Sequence, residues 1–372
     1  MPEGQEDVEH GSAERKLVRD RSCRHAHTLQ RNILGCKVCW GTLAGPPPPP
    51  GSSPRRRPAL HLTFGLLASS AAAHPASAQD SAPLDGQVAL VTGSTSGMGR
   101  VLAFRLAELG AEVIVHGRNA EAGAAVVDSI RRAGGRAAFH GADLGAMDEV
   151  RGLAATVEAE YARRDILVND AGVGPGPNER LLSADGLELR FHVNYLAGYQ
   201  LTHLLLPLLR ASAPSQVVMV ASRTQSALDF DDVMLASGFR GIRAYGQSKL
   251  AQIMFTFDLA PELEGSGVRI NAVHPAPVMD TRMMEVAGAR PQSTPEDGAR
   301  SVLNVILSGE GWNGRYFHEL EPGRALDQAY DPEARARLRE VSRGLTNVPS
   351  GGDLNGAGPG RDPGLAPPRA SA

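Results

Sequence analysis

Short apolar runs alternate with longer Ala/Leu-rich helical patterns between Leu84 and Thr346. This alternation is the main structural signal in the chain. Strands are predicted at Gln87–Thr92, Glu112–His116, Arg136–Gly141, Asp165–Asn169, Gln216–Ala221 and Val268–Val273. Helices are predicted from about Met98 to Leu109, over Ala120–Ala133 and Met147–Tyr161, near Leu187–Leu209, and over Tyr245–Leu263. Near-continuous apolar strands separated by helices imply a parallel sheet covered on both faces. The expected fold class is therefore α/β, a doubly wound parallel sheet in one domain over residues 84–346. Such a sheet takes its ligand beyond the carboxyl ends of its strands.

The pattern stops at both ends. Five prolines at 46–50 close a leader, 1–53, that has no periodicity and is expected to be disordered, as is the Gly/Pro-rich tail 347–372. Between leader and domain lie Arg55-Arg56-Arg57, an apolar stretch Ala59–Ala73, and Ala76-Ser77-Ala78. Basic, apolar and A-x-A regions in that order have the layout of a cleaved signal peptide over 54–78, with the paired arginines suiting the twin-arginine route. That reading predicts a periplasmic or secreted product, and its failure a cytoplasmic one. A start assigned too far upstream would explain why the signal lies inside the chain.

Composition narrows the partners. A net charge of -3 gives no basic face for nucleic acid, and no apolar run reaches the ~18 residues of a membrane span. Cys23, Cys36 and Cys39 with His25 and His27 offer soft metal ligands, but without any surrounding periodicity. No metal is assigned. The globular stretch holds no cysteine and a single lysine, Lys249.

Candidate chemistry falls at the predicted strand ends. Thr92-Gly93-Ser94-Thr95-Ser96-Gly97-Met98-Gly99 joins the first strand to the first helix. Glycines there allow a tight turn and a close approach to a pyrophosphate, which the helix N-terminus then meets. A carboxylate for an NAD ribose is expected after the second strand, but His116-Gly117-Arg118 stands there. A guanidinium at Arg118 suits a 2′-phosphate, so NADP is the expected cofactor and NAD the alternative. Tyr245 and Lys249, four residues apart, share one helical face. A neighbouring ammonium lowers a phenol's pKa, which is what a tyrosine proton shuttle needs. Ser222, ending the fifth strand, can hydrogen-bond a reacting oxygen, and Asn194 lies in a helical pattern where its amide can hold a water.

Together these residues resemble the short-chain dehydrogenases/reductases along the whole of 84–346. The resemblance implies a Rossmann-type sheet, a cofactor loop at Thr92, Gly93, Ser96, Gly97, Met98 and Gly99, and an adenine-contacting pair at Asp143 and Leu144. It also implies cofactor contacts at Asn169, Ala171 and Gly172, with Asp170 standing where the family has a second Asn. Asn194, Ser222, Tyr245 and Lys249 match its catalytic tetrad, with Tyr245 and Lys249 also touching cofactor. Pro275, Val278 and Thr281 match its last cofactor segment, although Ala276 replaces the usual Gly. The spacing around Tyr245 and the ending from Gly314 to Ser342 are similar to the retinol-dehydrogenase-like branch, which usually carries Trp where this chain has Arg339. A carbonyl–alcohol oxidoreductase follows, with Tyr245 as acid/base and a small hydrophobic carbonyl or alcohol as substrate. Val233, Met234, Leu235, Phe239, Met283 and Met284 would make the substrate wall apolar. A cofactor-sensing regulator, an epimerase or dehydratase on the same scaffold, and a homo-oligomer stay open, because fold alone does not fix function.

Overall fold

A computed structural model describes residues 82–348 except 177, 309 and 310, so the leader, signal and tail expectations lie outside the described residues. The strands are β1 Val88–Val91, β2 Glu112–Gly117, β3 Arg136–Gly141, β4 Ile166–Asn169, β5 Ser215–Val220, β6 Val268–His274, β7 Arg315–His318 and β8 Glu321–Pro322. They form one sheet in the order β3-β2-β1-β4-β5-β6-β7-β8. All neighbours pair in parallel except β7 with β8. The order reverses between β1 and β4, which is where a doubly wound sheet opens a ligand crevice.

The helices are α1 Gly97–Glu108, α2 Ala120–Arg132, α3 Met147–Glu160, α4 Ala197–Ala211, α5 Gly241–Glu262, α6 Arg282–Val286, α7 Pro295–Leu307 and α8 Pro332–Thr346. Alternate strand residues feed two apolar layers. On one face Ala89, Val91, Val113, Val115 and Val168 meet Leu102 and Leu106 of α1, Val126 and Ile130 of α2, and Val302 and Ile306 of α7. On the other Val88, Leu90, Leu167, Val217 and Met219 meet α3, α4, α5 and α8, with Val150, Leu205, Leu250 and Leu338 among the contacts. Burial on both faces is why these strands are apolar throughout rather than alternating.

The six expected strands are present, and two more, β7 and β8, extend the sheet. Helices α7 and α8 carry clear start signals. Thr294 and Asp297 form a reciprocal capping box around Pro295, and Asp331 caps α8 ahead of Pro332. The catalytic-pattern helix begins at Gly241 rather than Tyr245, which puts Tyr245 in its second turn. The helical pattern expected near Leu187–Leu209 is helical from Leu189 to Ala211, with a π-helical turn at Phe191–Leu196 running directly into α4. Such turns recur at functional sites.

Candidate active site

The β1–α1 turn is held by backbone approach. Gly93 and Gly97 have φ of +71° and +54°, a region that strains other residues. A Cβ on Gly93 would lie 2.8 Å from the Ala171 Cα, and one on Gly99 would overlap the Asp170 carboxylate. The Thr92 hydroxyl donates to the Val168 carbonyl at 3.3 Å and accepts the amides of Asp170 and Ala171 at 3.0 and 3.1 Å. Its side chain thus staples β1 to the loop after β4. His116 Nδ1 accepts the Gly93 amide at 3.2 Å. Burial pushes His116 down to about 4, so its ring stays a neutral acceptor at pH 7. Ser96 stands exposed at the N-cap of α1 without a side-chain cap bond, and the first turn carries no acidic residue. That helix start, reached through glycine, fits a pyrophosphate. Met98 is buried beneath it, and its sulfur and that of Met279 both occupy the space where a Gly298 side chain would be.

At the end of β2, Gly117 has no room for a side chain unless Thr95 moves. A Cβ on Gly117 would approach the Thr95 side chain to 2.6 Å. Arg118 follows with its side chain 76% exposed, Nη1 lying 3.9 Å from Asp143 Oδ2. Asp143 Oδ1 accepts the Gly145 amide at 2.9 Å, while Leu144 is buried in the core. Arg118 and Asp143 therefore share one solvent-facing rim, and the Leu144 side chain turns below it.

Beyond β4 and β5 the candidate tetrad converges. Asn169 does not point there; its amide donates to Thr202 Oγ1 and contacts Met219 Sδ, both at 3.1 Å, within the core. Gly172 sits between the groups that do converge. A Cβ on it would stand 3.3 Å from Asn194 Oδ1 and 3.7 Å from Lys249 Nζ. Asn194, on the π-helical turn, accepts the Val173 amide at 2.6 Å and donates to the Val173 carbonyl at 3.0 Å and Ser248 Oγ at 2.9 Å. Tyr245 hydrogen-bonds the Ser222 side chain. Lys249 Nζ donates to the Val220 carbonyl at 2.7 Å and lies 5.7 Å from the Tyr245 ring centre.

Burial dominates the electrostatics. It lowers Lys249 to about 8 against the opposing charge of Asp170. It raises Asp170 to about 7, against the Lys249 ammonium and the Gly99 amide. The phenol of Tyr245 departs from the sequence expectation. Burial pushes it upward, the Ser222 hydrogen bond pulls it back, and the Asp170 charge pushes it up again. An ammonium already committed to a carbonyl and facing a carboxylate does not overcome that desolvation.

After β6, Pro275 is buried at the strand's end and Val278 takes φ +30°, an uncommon angle for a β-branched residue. Thr281 precedes α6, and its methyl lies 3.4 Å from where a Gly97 Cβ would be, so it covers the glycine turn. Met283 packs over Gly172 and Gly174. Val233 and Leu235 are buried rather than lining an open wall. Their loop is clamped by Gln247 Nε2 to the Val233 carbonyl at 2.6 Å and Arg180 Nε to the Met234 carbonyl at 3.0 Å. Two further residues matter that the sequence did not single out, and a third that it marked only as a departure. A Gly246 Cβ would come within 2.9 Å of the Ser226 amide nitrogen, so glycine lets α5 reach the loop after Ser222. Tyr316 donates to the Ser222 carbonyl at 3.2 Å. Asp170, readable only as a departure from the family's Asn, faces Lys249.

With this geometry, comparison with known proteins is decisive. A family model described as short chain dehydrogenase matches residues 87–292. The chain belongs to the short-chain dehydrogenase family. Its relatives there include Dehydrogenase/reductase SDR family member 13 of Bos taurus, 35% identical over 76% of this chain and 76% of that protein. Retinol dehydrogenase 14 of Mus musculus is 31% identical over 71% and 87%. Polyprenol dehydrogenase of Mus musculus is 36% identical over 74% and 88%. A solved Mycobacterium paratuberculosis protein superposes with a TM-score of 0.61 at 28% identity, covering 72% of this chain and 96% of that one. The NADP complex of Pseudomonas aeruginosa RhlG does so with 0.53 at 30% identity, covering 63% and 95%. This short-chain dehydrogenase is of the retinol-dehydrogenase-like kind, an NAD(P)-dependent oxidoreductase acting on CH–OH groups. Arg339, at the branch's usual Trp position, forks onto Asp258 with bonds of 2.7 and 2.6 Å, joining α8 to α5. No helix among the described residues is long and apolar enough to cross a membrane.

Proposed function

We propose that this dehydrogenase interconverts a hydrophobic carbonyl and its alcohol with NADP(H), using Tyr245 as acid/base. The observation that carries the reading is the buried Tyr245 phenol bonded to Ser222, with Lys249 one helical turn on and Asn194 across Gly172. When bound, the nucleotide supplies or accepts the hydride. Gly93, Gly97, Met98 and Gly99 offer the turn and helix start for its pyrophosphate. Arg118, beside a Gly117 crowded by the Thr95 side chain, is suited to a 2′-phosphate. Asp143 borders the same rim, and Ala171, Gly172, Pro275, Val278 and Thr281 border the nicotinamide end.

Ser222 orients the reacting oxygen, and Tyr245 gives it a proton in reduction or removes one in oxidation. A phenol pushed up by burial is fully protonated at neutral pH, the form that reduction uses. Lys249 holds its proton beside Asp170 and resupplies Tyr245, with Asn194 positioning the connecting water. Met283, packed over Gly172, and relatives named for retinol and polyprenol support an apolar substrate.

The test is NADPH oxidation by the protein and by Tyr245→Phe against hydrophobic ketones and aldehydes, with alcohols in reverse. Tyr245→Phe is expected to bind cofactor normally yet lose at least ~10²-fold in turnover. Retained turnover removes Tyr245 from the role. No net cofactor oxidation by the parent on any substrate supports a regulator or epimerase instead.

Residues 54–78 are proposed as an export signal ending before Gln79. N-terminal sequencing of protein from its native host tests this. A cytosolic product that keeps residues 1–50 excludes it.

A further inference from the structure

We propose that His274, His318 and Glu319 form a divalent transition-metal site, with Zn²⁺ as its occupant, where β6 meets the β7–β8 hairpin. No step of the carbonyl–alcohol chemistry uses these residues. His274 and His318 are register partners on adjacent parallel strands, so their side chains leave the same face of the sheet. Their ring centres are 5.1 Å apart. A buried imidazole ordinarily uses both nitrogens, yet the Nε2 atoms of both rings are buried without a hydrogen-bond partner. His274 itself is only 6% exposed.

Glu319 supplies the third group. It takes φ +59°, a left-handed angle that costs a non-glycine residue about 1–2 kcal/mol. Its amide donates to the His274 carbonyl at 2.8 Å, which fixes it beside that residue. Its carboxylate Oε1 lies 3.8 Å from His318 Nε2. One ligand atom from each residue falls within 4.8 Å of the others. Zinc bonds of roughly 2.0–2.2 Å require these atoms to close by about 1 Å, which the half-exposed Glu319 side chain can do.

The donor set fixes the kind of ion. Two imidazoles and a carboxylate suit Zn²⁺, Cu²⁺ or Ni²⁺ rather than Mg²⁺ or Ca²⁺. Arg223 and Lys249 bring positive charge toward His274 and oppose any cation, so the Glu319 charge is essential. The site would be structural. Tyr316, on the same strand face as His318, holds the Ser222 carbonyl, and the ion would tie β6 to the hairpin that carries both residues.

The experiment is calorimetric titration of Zn²⁺ into the full chain carrying Cys23→Ser, Cys36→Ser and Cys39→Ser, which silences thiol ligands elsewhere. One equivalent is expected to bind with Kd of about 10 µM or tighter, and Mg²⁺ not to bind. Adding His318→Ala or Glu319→Gln should each weaken Zn²⁺ at least ~10-fold. Glu319→Gln keeps size and fold while removing only the charge. Parent affinity no tighter than that of His318→Ala, or full affinity in Glu319→Gln, overturns the site.

Discussion

The β1–α1 turn and the loop 223–243 flank the same strand ends, yet opposite means hold them. The turn is shaped by the lack of side chains: Gly93 lies against Ala171, Gly99 against Asp170, and Gly117 against Thr95. The loop is held by long polar side chains arriving from elsewhere, Gln247 to Val233, Arg180 to Met234 and Gln328 to Leu228. Contacts this close leave no room for an added atom unless a neighbour shifts, whereas a clamp can lose one bond and keep its others. The first arrangement defines a fixed cradle, and the second lets substrate scope vary on a constant frame.

Acid tests what both regions share, and the effect should be the largest. Burial lowers His116, which supports the glycine turn, and His203, on α4, each to about 4. Below the ordinary value near 6.5 the unfolded chain takes protons that the folded chain refuses. Their contribution is therefore complete above pH 6.5 and lost as pH falls toward 4. Between pH 6.5 and 5 the loss is roughly 1.6 kcal/mol for each, about 3 together. Buried His274 adds a similar loss, and Asp170, raised to about 7, returns roughly 2 kcal/mol over the same range. Urea midpoints of the parent and of His116→Gln across that range isolate the share of His116, the variant losing roughly 1.6 kcal/mol less than the parent. Parallel profiles for the parent and His116→Gln would show that this ring is not held neutral.

Gly99→Ala breaks the comparison directly. Its methyl would overlap the Asp170 carboxylate and lie 2.9 Å from the Gly93 carbonyl oxygen, so the turn must move. Cofactor affinity should fall by about 3 kcal/mol, whereas Arg180→Ala should raise substrate KM and spare cofactor binding. Fluorescence titration of NADPH with steady-state kinetics separates the two. If Arg180→Ala weakens NADPH as much as Gly99→Ala does, the division between the regions is wrong.

Arg118→Ala should weaken NADPH by roughly 1.5–3 kcal/mol and leave NADH unchanged. Equal affinity of the parent for both nucleotides would sink the assignment. The smallest effect belongs to Arg339→Ala. Losing a half-exposed fork to Asp258 should cost about 1 kcal/mol of stability, read as a lower Tm without altered cofactor affinity.

The glycine side was legible because its constraints are local. Residues 92–99 state the turn, and uniformly apolar strands state two-sided burial. The capping sequences at Thr294 and Asp331 are equally local but lie beyond the last predicted strand, and α7 and α8 are not among the predicted helices. The four-residue β7 and two-residue β8 are too short to carry a period. Helix α5 begins at Gly241 after Arg240, which offers no side-chain cap, so nothing in the sequence marks its first turn. What stayed hidden depends on distant pairs. The direction of Asn169 follows from Thr202 and Met219, the phenol's rise from how deeply α5 is buried, and the meeting of His274 with His318 from strand register alone.

Helix α8 gives the site an order of assembly. Arg339 grips Asp258 on α5, and Ser342 lies 2.7 Å from the Tyr195 hydroxyl on the turn that carries Asn194. Both partners belong to segments that leave the ribosome well before α8 does. Until that helix emerges and docks, the Tyr245–Lys249 helix and the Asn194 turn lack their common brace. A nascent chain stalled before Pro332 would hold the whole glycine turn and every residue of the tetrad. It would carry the chemistry in its sequence without yet having it in space.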